Sequence, residues 1–375
     1  MHNASMRAVG VVPGEREVRI IQHAAPRITA PNEIKVRSLE VGICGTDREI
    51  CTFVYGSPPE GFDYLVLGHE SLGQVVEVGS GVSQFKPGDL VVPSVRRPCP
   101  HDHCLSCRDD KQDFCFTGDF TERGIKMTHG FMTEQYVDEE KYLTYVPPDL
   151  REVAVLVEPL TVAEKGLAQM WQIQKRLPWI DPKLPADQRG RGKTAVVLGA
   201  GPIGILGAMA LVVRGFKTYV YSRSPRPNAK SELVESFGVK YLSSETVTPD
   251  QLLEQVGKID LVYEAVGKAK VSYDVLRVLG LNGIFIFTGI PSPRPPIGID
   301  ADIIMRNLVL KNQAVLGTVN ADADAFAGAI RDLGIFLQRW PQALKSIITG
   351  RHKIDDYREL LLGKATGIKN VIAMD

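Results

Sequence analysis

The chain has 375 residues, with 44 Lys and Arg balanced by 44 Asp and Glu and 44% hydrophobic residues. That length suffices for two domains with substantial cores, and a net charge of zero leaves no basic footprint for nucleic acid or an anionic membrane. No apolar run approaches a membrane span and Met1-His2-Asn3-Ala4-Ser5 is no signal peptide, so the expectation is a cytoplasmic protein whose six cysteines serve as thiols or metal ligands rather than disulfides.

From Met6 to about Tyr145, short β-type runs alternate with Gly and Pro. Examples lie at 33–37, 73–79 and 89–93. Short strands without long helices between them predict a compact β-rich domain. Two stretches there carry chemistry, Gly42-Ile43-Cys44-Gly45-Thr46-Asp47 and Gly68-His69-Glu70. A thiolate and an imidazole are good zinc ligands, and the Thr46 hydroxyl is placed to relay a proton. Taken singly, Cys44 and His69 read equally well as core residues. Cys51 has no ligand partner and reads as structural. Further on, Cys99, Cys104, Cys107 and Cys115 fall in one polar loop, where four thiolates would make a closed, structural metal site.

Helical spacing runs from about Leu160 to Ile173. Residues 175–192, rich in proline and charge, then form an irregular connection, which we expect at a subunit contact. Lys193 to Gly204 reads as strand, tight turn and helix start. Gly199 allows the turn, Gly201 lets the backbone approach a pyrophosphate, and Gly204 lets the helix pack close on the strand. Gly199, Ala200, Gly201, Pro202, Ile203 and Gly204 therefore form a phosphate cradle at a helix N-terminus, followed by an amphipathic run from Ile205 to Val213. Strands at 217–221, 259–264, 283–288 and 314–318, with a helix at 228–237 ended by Gly238, predict a doubly wound parallel sheet.

The end of the second strand of that sheet, Ser222-Arg223-Ser224-Pro225-Arg226, lacks the acid that binds a ribose 2′-hydroxyl. Its two guanidinium groups suit a 2′-phosphate, which favours NADP, while nothing repels NAD. The alternative is that Arg223 and Arg226 point to water. Thr288, Gly289 and Ile290 end a strand on the nicotinamide side of such sheets. Helical runs at 323–339 and 356–362 and a strand at 367–372 complete the chain.

Cys-Gly-Thr-Asp and Gly-His-Glu at this separation resemble the catalytic-zinc motifs of the medium-chain zinc-dependent alcohol dehydrogenases. Thr121-Glu122-Arg123-Gly124-Ile125, His129-Gly130-Phe131-Met132-Thr133-Glu134 and Val157-Glu158-Pro159-Leu160 are similar to segments of the glucose dehydrogenase branch. The resemblance implies an α/β protein with a β-rich GroES-like catalytic domain over 1–174, to which 319–375 returns, and a Rossmann coenzyme domain over 175–318. It implies a catalytic zinc surrounded by Cys44, His69, Glu70 and Glu158, with Glu70 and Glu158 exchanging as inner and outer ligands, and a structural zinc on the four-cysteine lobe. The family usually places two residues between the first two lobe cysteines and this chain has four. His101 or His103 thus remains an alternative to one cysteine, and a metal-free loop a third reading.

By the same resemblance Glu122 and Glu158 grip sugar hydroxyls with Thr46, and Thr318, Val319 and Asn320 stand near the nicotinamide and substrate. Asn320, donor and acceptor both, reads a hydroxyl. The implied reaction is NADP-preferring oxidation of an aldose at C1, glucose being the expected sugar, to the aldonolactone. The proton leaves through Thr46, Glu158 or a water at the metal. A homo-oligomer, dimer or tetramer, is expected. The alternatives are another medium-chain polyol or alcohol dehydrogenase, and a catalytically silent nucleotide-binding sensor.

Overall fold

In the computed structural model, which describes residues 5–180, 183–292 and 295–374, the chain divides into two compact units. One holds the chain up to Thr161 together with Asn320–Leu337 and Ile347 onward; the other holds Val162–Val319 and Gln338–Ser346. Residues 1–4, and Asp181 and Pro182 of the predicted connection, lie outside the described residues.

The first unit is built on strand Glu33–Gly42. Its early residues alternate, with Ile34 and Val36 inward, and its second half is buried on both sides, as befits a central strand. A seven-stranded sheet surrounds it, in the order Leu143–Val146, Leu90–Pro93, Glu70–Val78, Glu33–Gly42, Lys369–Ala373, Ile348–Lys353, with Gln135–Glu139 also pairing to Glu33–Gly42. Ile34, Val36, Val41, Leu67, Phe131 and Met132 lie in its core. The register decides where chemistry falls. Gly42 pairs with Glu70 on one side and with Val371 on the other. The residues that follow Gly42, flank Glu70 and precede Val371 are thereby drawn to one place. The C-terminal strand Lys369–Ala373 joins this unit.

The second unit carries six parallel strands in the order Lys240–Ser243, Lys217–Ser222, Thr194–Leu198, Leu261–Glu264, Ile284–Phe287, Ala314–Gly317. Strand order reverses beside Thr194–Leu198, which puts a ligand crevice at the carboxyl ends of the strands there. Helix Pro202–Val213 corrects one expectation. It is apolar on every side rather than amphipathic, with Ile205, Leu206, Met209, Ala210 and Leu211 all buried. A helix covered all round needs no polar stripe. Among the described residues no helix is long and apolar enough to cross a membrane.

Candidate active site and dinucleotide cradle

Cys44 is the N-cap of the short helix Gly45–Ile50, and Asp47 closes a capping box by accepting the Cys44 N–H at 2.8 Å. The other Asp47 oxygen lies 3.3 Å from His69 Nδ1. Cys44, His69 and Glu70 bring one ligand atom each to within 4.8 Å of one another. His69 and Glu70 are buried. A carboxylate facing one imidazole nitrogen fixes the ring and leaves the other nitrogen for a metal. Burial disfavours the charged imidazole, but Asp47 and Cys44 outweigh it and hold His69 well above its usual range.

A Cβ at Gly42 would overlap the Glu70 carboxylate, so only glycine leaves the cradle open. Lys369 donates to Glu70 Oε2 and, at 3.1 Å, to the Ile43 carbonyl. Thr46 Oγ1 lies 3.9 Å from Cys44 Sγ. Glu158, at the start of helix Val157–Gln174, stands beside this group and not within it. It keeps part of its surface open while lying deep among protein atoms. Burial first, then Glu70 and Asp47, push its carboxyl up to about 7 against the opposing charges of His69 and Lys369.

Glu122 and Asn320, expected separately at the sugar, are joined. Asn320 Nδ2 donates to Glu122 Oε1 at 2.6 Å, and Asn320 Oδ1 accepts the Ala321 N–H. Asn320 holds φ 62°, a left-handed backbone that asparagine tolerates. Arg96, which the sequence did not single out, is buried and donates from Nε at 3.1 Å and Nη2 at 2.9 Å to the same Oε1. Its guanidinium also lies 3.6 Å from the Phe120 ring centroid. Among the described residues the donors to Glu122 fall on Oε1, which leaves Oε2 for a further donor. Burial, then the Glu122 charge, raises the Tyr55 phenol.

The four lobe sulfurs also lie within 4.8 Å of one another. The four residues between Cys99 and Cys104 are absorbed by a turn in which the Cys104 N–H donates to the His101 carbonyl at 3.0 Å. His101 pairs with Asp119 at 2.5 Å and His103 lies against Phe116. Burial raises the Cys115 thiol, but hydrogen bonds from Thr117 and Gly118 overcome it and bring it down to about 6. Burial pushes Cys107 up to about 12. All six cysteines are free thiols, and Cys51 is buried as expected.

In the second unit Gly199 takes φ +100°, the turn asked of it. Gly201 is the N-cap of helix Pro202–Val213, and a Cβ there would meet nothing within 4 Å, so space for a phosphate lies above it. A Cβ on Gly204 would overlap the Gly199 carbonyl. The loop after Lys217–Ser222 is pinned by Tyr241 Oη to Ser224 O and Ser243 Oγ to Arg223 O. Arg226 is turned to Glu235 at 2.9 Å, while Arg223, with 85% of its side chain exposed, has its Nε 4.0 Å from Glu245. Burial, then the Arg223 charge, lowers Lys230. Lys230, which the sequence did not single out, is thus close enough to Arg223 to feel its charge.

Glu264 was missed as well. Buried at a strand end, it accepts the N–H groups of Val266 and Gly267 on Oε1 and of Gly289 on Oε2. Thr288 donates to its carbonyl. The loops holding Gly289 and Ile290 are set by this one carboxylate. Thr318 N donates to the Phe287 carbonyl, and Lys165 Nζ to the Val319 carbonyl at 2.8 Å.

A GroES-like sheet bearing a Cys/His/Glu group, in one chain with a parallel dinucleotide sheet, defines the zinc-dependent medium-chain dehydrogenases. Residues 30–148 match the alcohol dehydrogenase GroES-like domain and residues 151–374 the glucose dehydrogenase C-terminus. The glucose 1-dehydrogenase of Methanocella arvoryzae is 36% identical over 98% of this chain and 99% of its own; that of Thermoproteus tenax is 35% identical over 98% and 99%. A solved glucose dehydrogenase of Haloferax mediterranei, in complex with NADP, Zn and gluconolactone, superposes with a TM-score of 0.86 at 31% identity, covering 98% and 99%. The chain belongs to the glucose dehydrogenase family.

Proposed function

We propose that this chain oxidises an aldose at C1, with D-glucose the expected substrate, passing hydride to NADP and releasing the aldonolactone. The observation that carries the reading is the group Cys44, His69 and Glu70, its imidazole and carboxylate buried, with Glu158 beside it. Full-length similarity to glucose 1-dehydrogenases supports it.

The donor set fits zinc: one thiolate, one oriented imidazole and a carboxylate in a cradle that a Cβ would fill. Cys44, His69 and Glu70 would hold it, with Glu158 exchanging with Glu70. Such an ion supplies a Lewis acid that lowers the pKa of the C1 hydroxyl. The chain's own residues do the rest. Thr46 and Glu158 stand to take the hydroxyl proton. Glu122 Oε2 accepts a ring hydroxyl, and Asn320 fixes the carboxylate that does so. Removal of hydride from C1 and of the hydroxyl proton leaves the C1 carbonyl of the lactone. Cys99, Cys104, Cys107 and Cys115 would bind a second, structural zinc.

In the coenzyme unit the Gly199–Gly204 turn takes the pyrophosphate. Ser222, Arg223 and Ser224, with Lys230, take the 2′-phosphate, and Thr288, Gly289, Ile290, Thr318 and Val319 border the nicotinamide. NAD remains usable. A homo-oligomer belongs to the same reading; exposed Met305, Val309 and Leu310 beside strand Ala314–Gly317 support it.

Cys44→Ala tests the metal role. It should lose one equivalent of zinc by atomic emission and all measurable sugar oxidation, yet bind NADP unchanged by fluorescence. Full activity in that variant would defeat the proposed mechanism.

A further inference from the structure

The four-cysteine lobe reaches the Glu122–Asn320 pair by two routes. Between Cys107 and Cys115 runs Lys111 and the turn Gln112–Phe114. On the first route Arg96 Nη1 donates to the Asp113 carbonyl at 3.2 Å and Gln112 Nε2 to the Arg96 carbonyl at 3.4 Å, while the rest of the guanidinium holds Glu122 Oε1. On the second, Lys111 Nζ donates to Asp322 at 2.6 Å and Asp324 at 3.0 Å. Asp322 in turn accepts the Ala325 N–H at the start of helix Ala323–Arg339, two residues beyond Asn320. The backbone of Lys111 is itself tied to the lobe, its N–H on the Ser106 carbonyl at 2.8 Å.

Among the described residues the lobe's buried cluster is Cys99, Cys104 and Cys107 with Cys115 packed against them, while Leu105, Phe114 and Phe116 are exposed. Whatever fixes the sulfurs fixes residues 111–113. Two charged side chains thus connect the lobe to this region, Arg96 to Glu122 itself and Lys111 to Asp322, two residues past Asn320.

We propose that the four-cysteine lobe sets sugar affinity, with Arg96 and Lys111 as positioning residues that transmit its order to Glu122 and Asn320. The inference rests on the reading that those two residues hold the sugar. Arg96 fixes which carboxylate oxygen is turned to a hydroxyl, and Lys111 fixes the entry to the helix behind Asn320. A residue that acts this way alters binding of the sugar and leaves hydride transfer from the bound sugar nearly untouched.

The experiment compares Lys111→Met, Lys111→Arg, Cys107→Ser and Glu122→Gln in the full chain loaded with zinc. Lys111 is partly exposed, so its variants are expected to fold. Steady-state kinetics give KM and kcat for glucose and KM for NADP; calorimetry gives gluconolactone binding with NADP present. Loss of a partly exposed ion pair should raise glucose KM about three- to fivefold in Lys111→Met and weaken gluconolactone equally. NADP KM and kcat should stay within about twofold, and Lys111→Arg should restore the original values. Cys107→Ser should lose one zinc equivalent and show a larger rise in glucose KM at unchanged NADP KM.

A purely structural lobe predicts the opposite split, with a lower active fraction and unaltered glucose KM. If Glu122→Gln raises glucose KM while Lys111→Met and Cys107→Ser leave it alone, the sugar grip stands and the coupling is overturned. If Glu122→Gln also leaves it alone, the sugar-holding role of Glu122 falls, and the coupling with it.

Discussion

Arg223 meets water along most of its side chain, and its charge acts on Lys230. Repulsion of this kind is relieved by a bound dianion. A charge-assisted hydrogen bond contributes about 1.5–3 kcal/mol, so Arg223→Ala should raise NADP KM about ten- to hundredfold and leave NAD KM nearly unchanged. Equal changes for both cofactors in steady-state assays would remove the 2′-phosphate role.

His129 gives a stability prediction. Burial first, then the charges of His23 and Arg123, lower its pKa from 6.5 to about 4. Its Nδ1 accepts the Val66 N–H and its ring stacks on Tyr64. Between these two values the unfolded chain binds a proton that the folded chain refuses. Stability is therefore full above about pH 6.5 and falls as pH drops towards 4. His129→Asn keeps an acceptor for Val66 and removes the titration. Its urea midpoint should fall less between pH 7 and pH 5.5 than that of the parent; an equal fall would show that His129 does not contribute.

Residues whose signal is local were legible. Cys44, His69 and Glu70 sit in short motifs, and their ligand atoms lie within 4.8 Å of one another. Their partners were not legible. Lys369 is 299 residues from Glu70, and Arg96 looks like any basic residue until a strand pair sets it against Glu122. Asp47 carried a signal that was passed over, an acid three residues after a helix N-cap.

Elements were legible where pattern and punctuation agree. Strand, glycine turn and helix at 194–213 fell as the sequence indicated, because each glycine has a separate steric reason. Gly204→Ala tests the last of these. The added methyl would press on the Gly199 carbonyl, where overpacking costs about 1–3 kcal/mol. The thermal midpoint should drop by several degrees and NADP affinity by about tenfold or more. Unaltered NADP binding by fluorescence titration would contradict the account of the turn. The apolar character of the helix that follows was misread, because a buried helix and an amphipathic one share most of their residues over a short run. Glu264 was invisible at this scale, since its acceptors serve two loops that only the sheet brings together.

At the scale of the molecule, one register links fold to chemistry. Gly42 opposite Glu70 and beside Val371 gathers three distant segments at the metal group. Alternation of short strands conveyed a β-rich first unit, and alternating strands and helices a parallel second one. Strand order and the return of the last strand came from resemblance, since composition does not encode which strands are neighbours. The lobe shows the limit most clearly. Its spacing left the ligand set open, and the turn that closes on His101 brings the four sulfurs together.

The most direct measurement is steady-state turnover of the zinc-loaded protein with aldoses, polyols and simple alcohols, each with NADP and with NAD. Rapid NADP reduction with glucose or a close epimer is expected, with a lactone product, slower use of NAD and little turnover of polyols. Turnover with polyols or simple alcohols alone, or none at all with zinc content verified, would contradict that expectation.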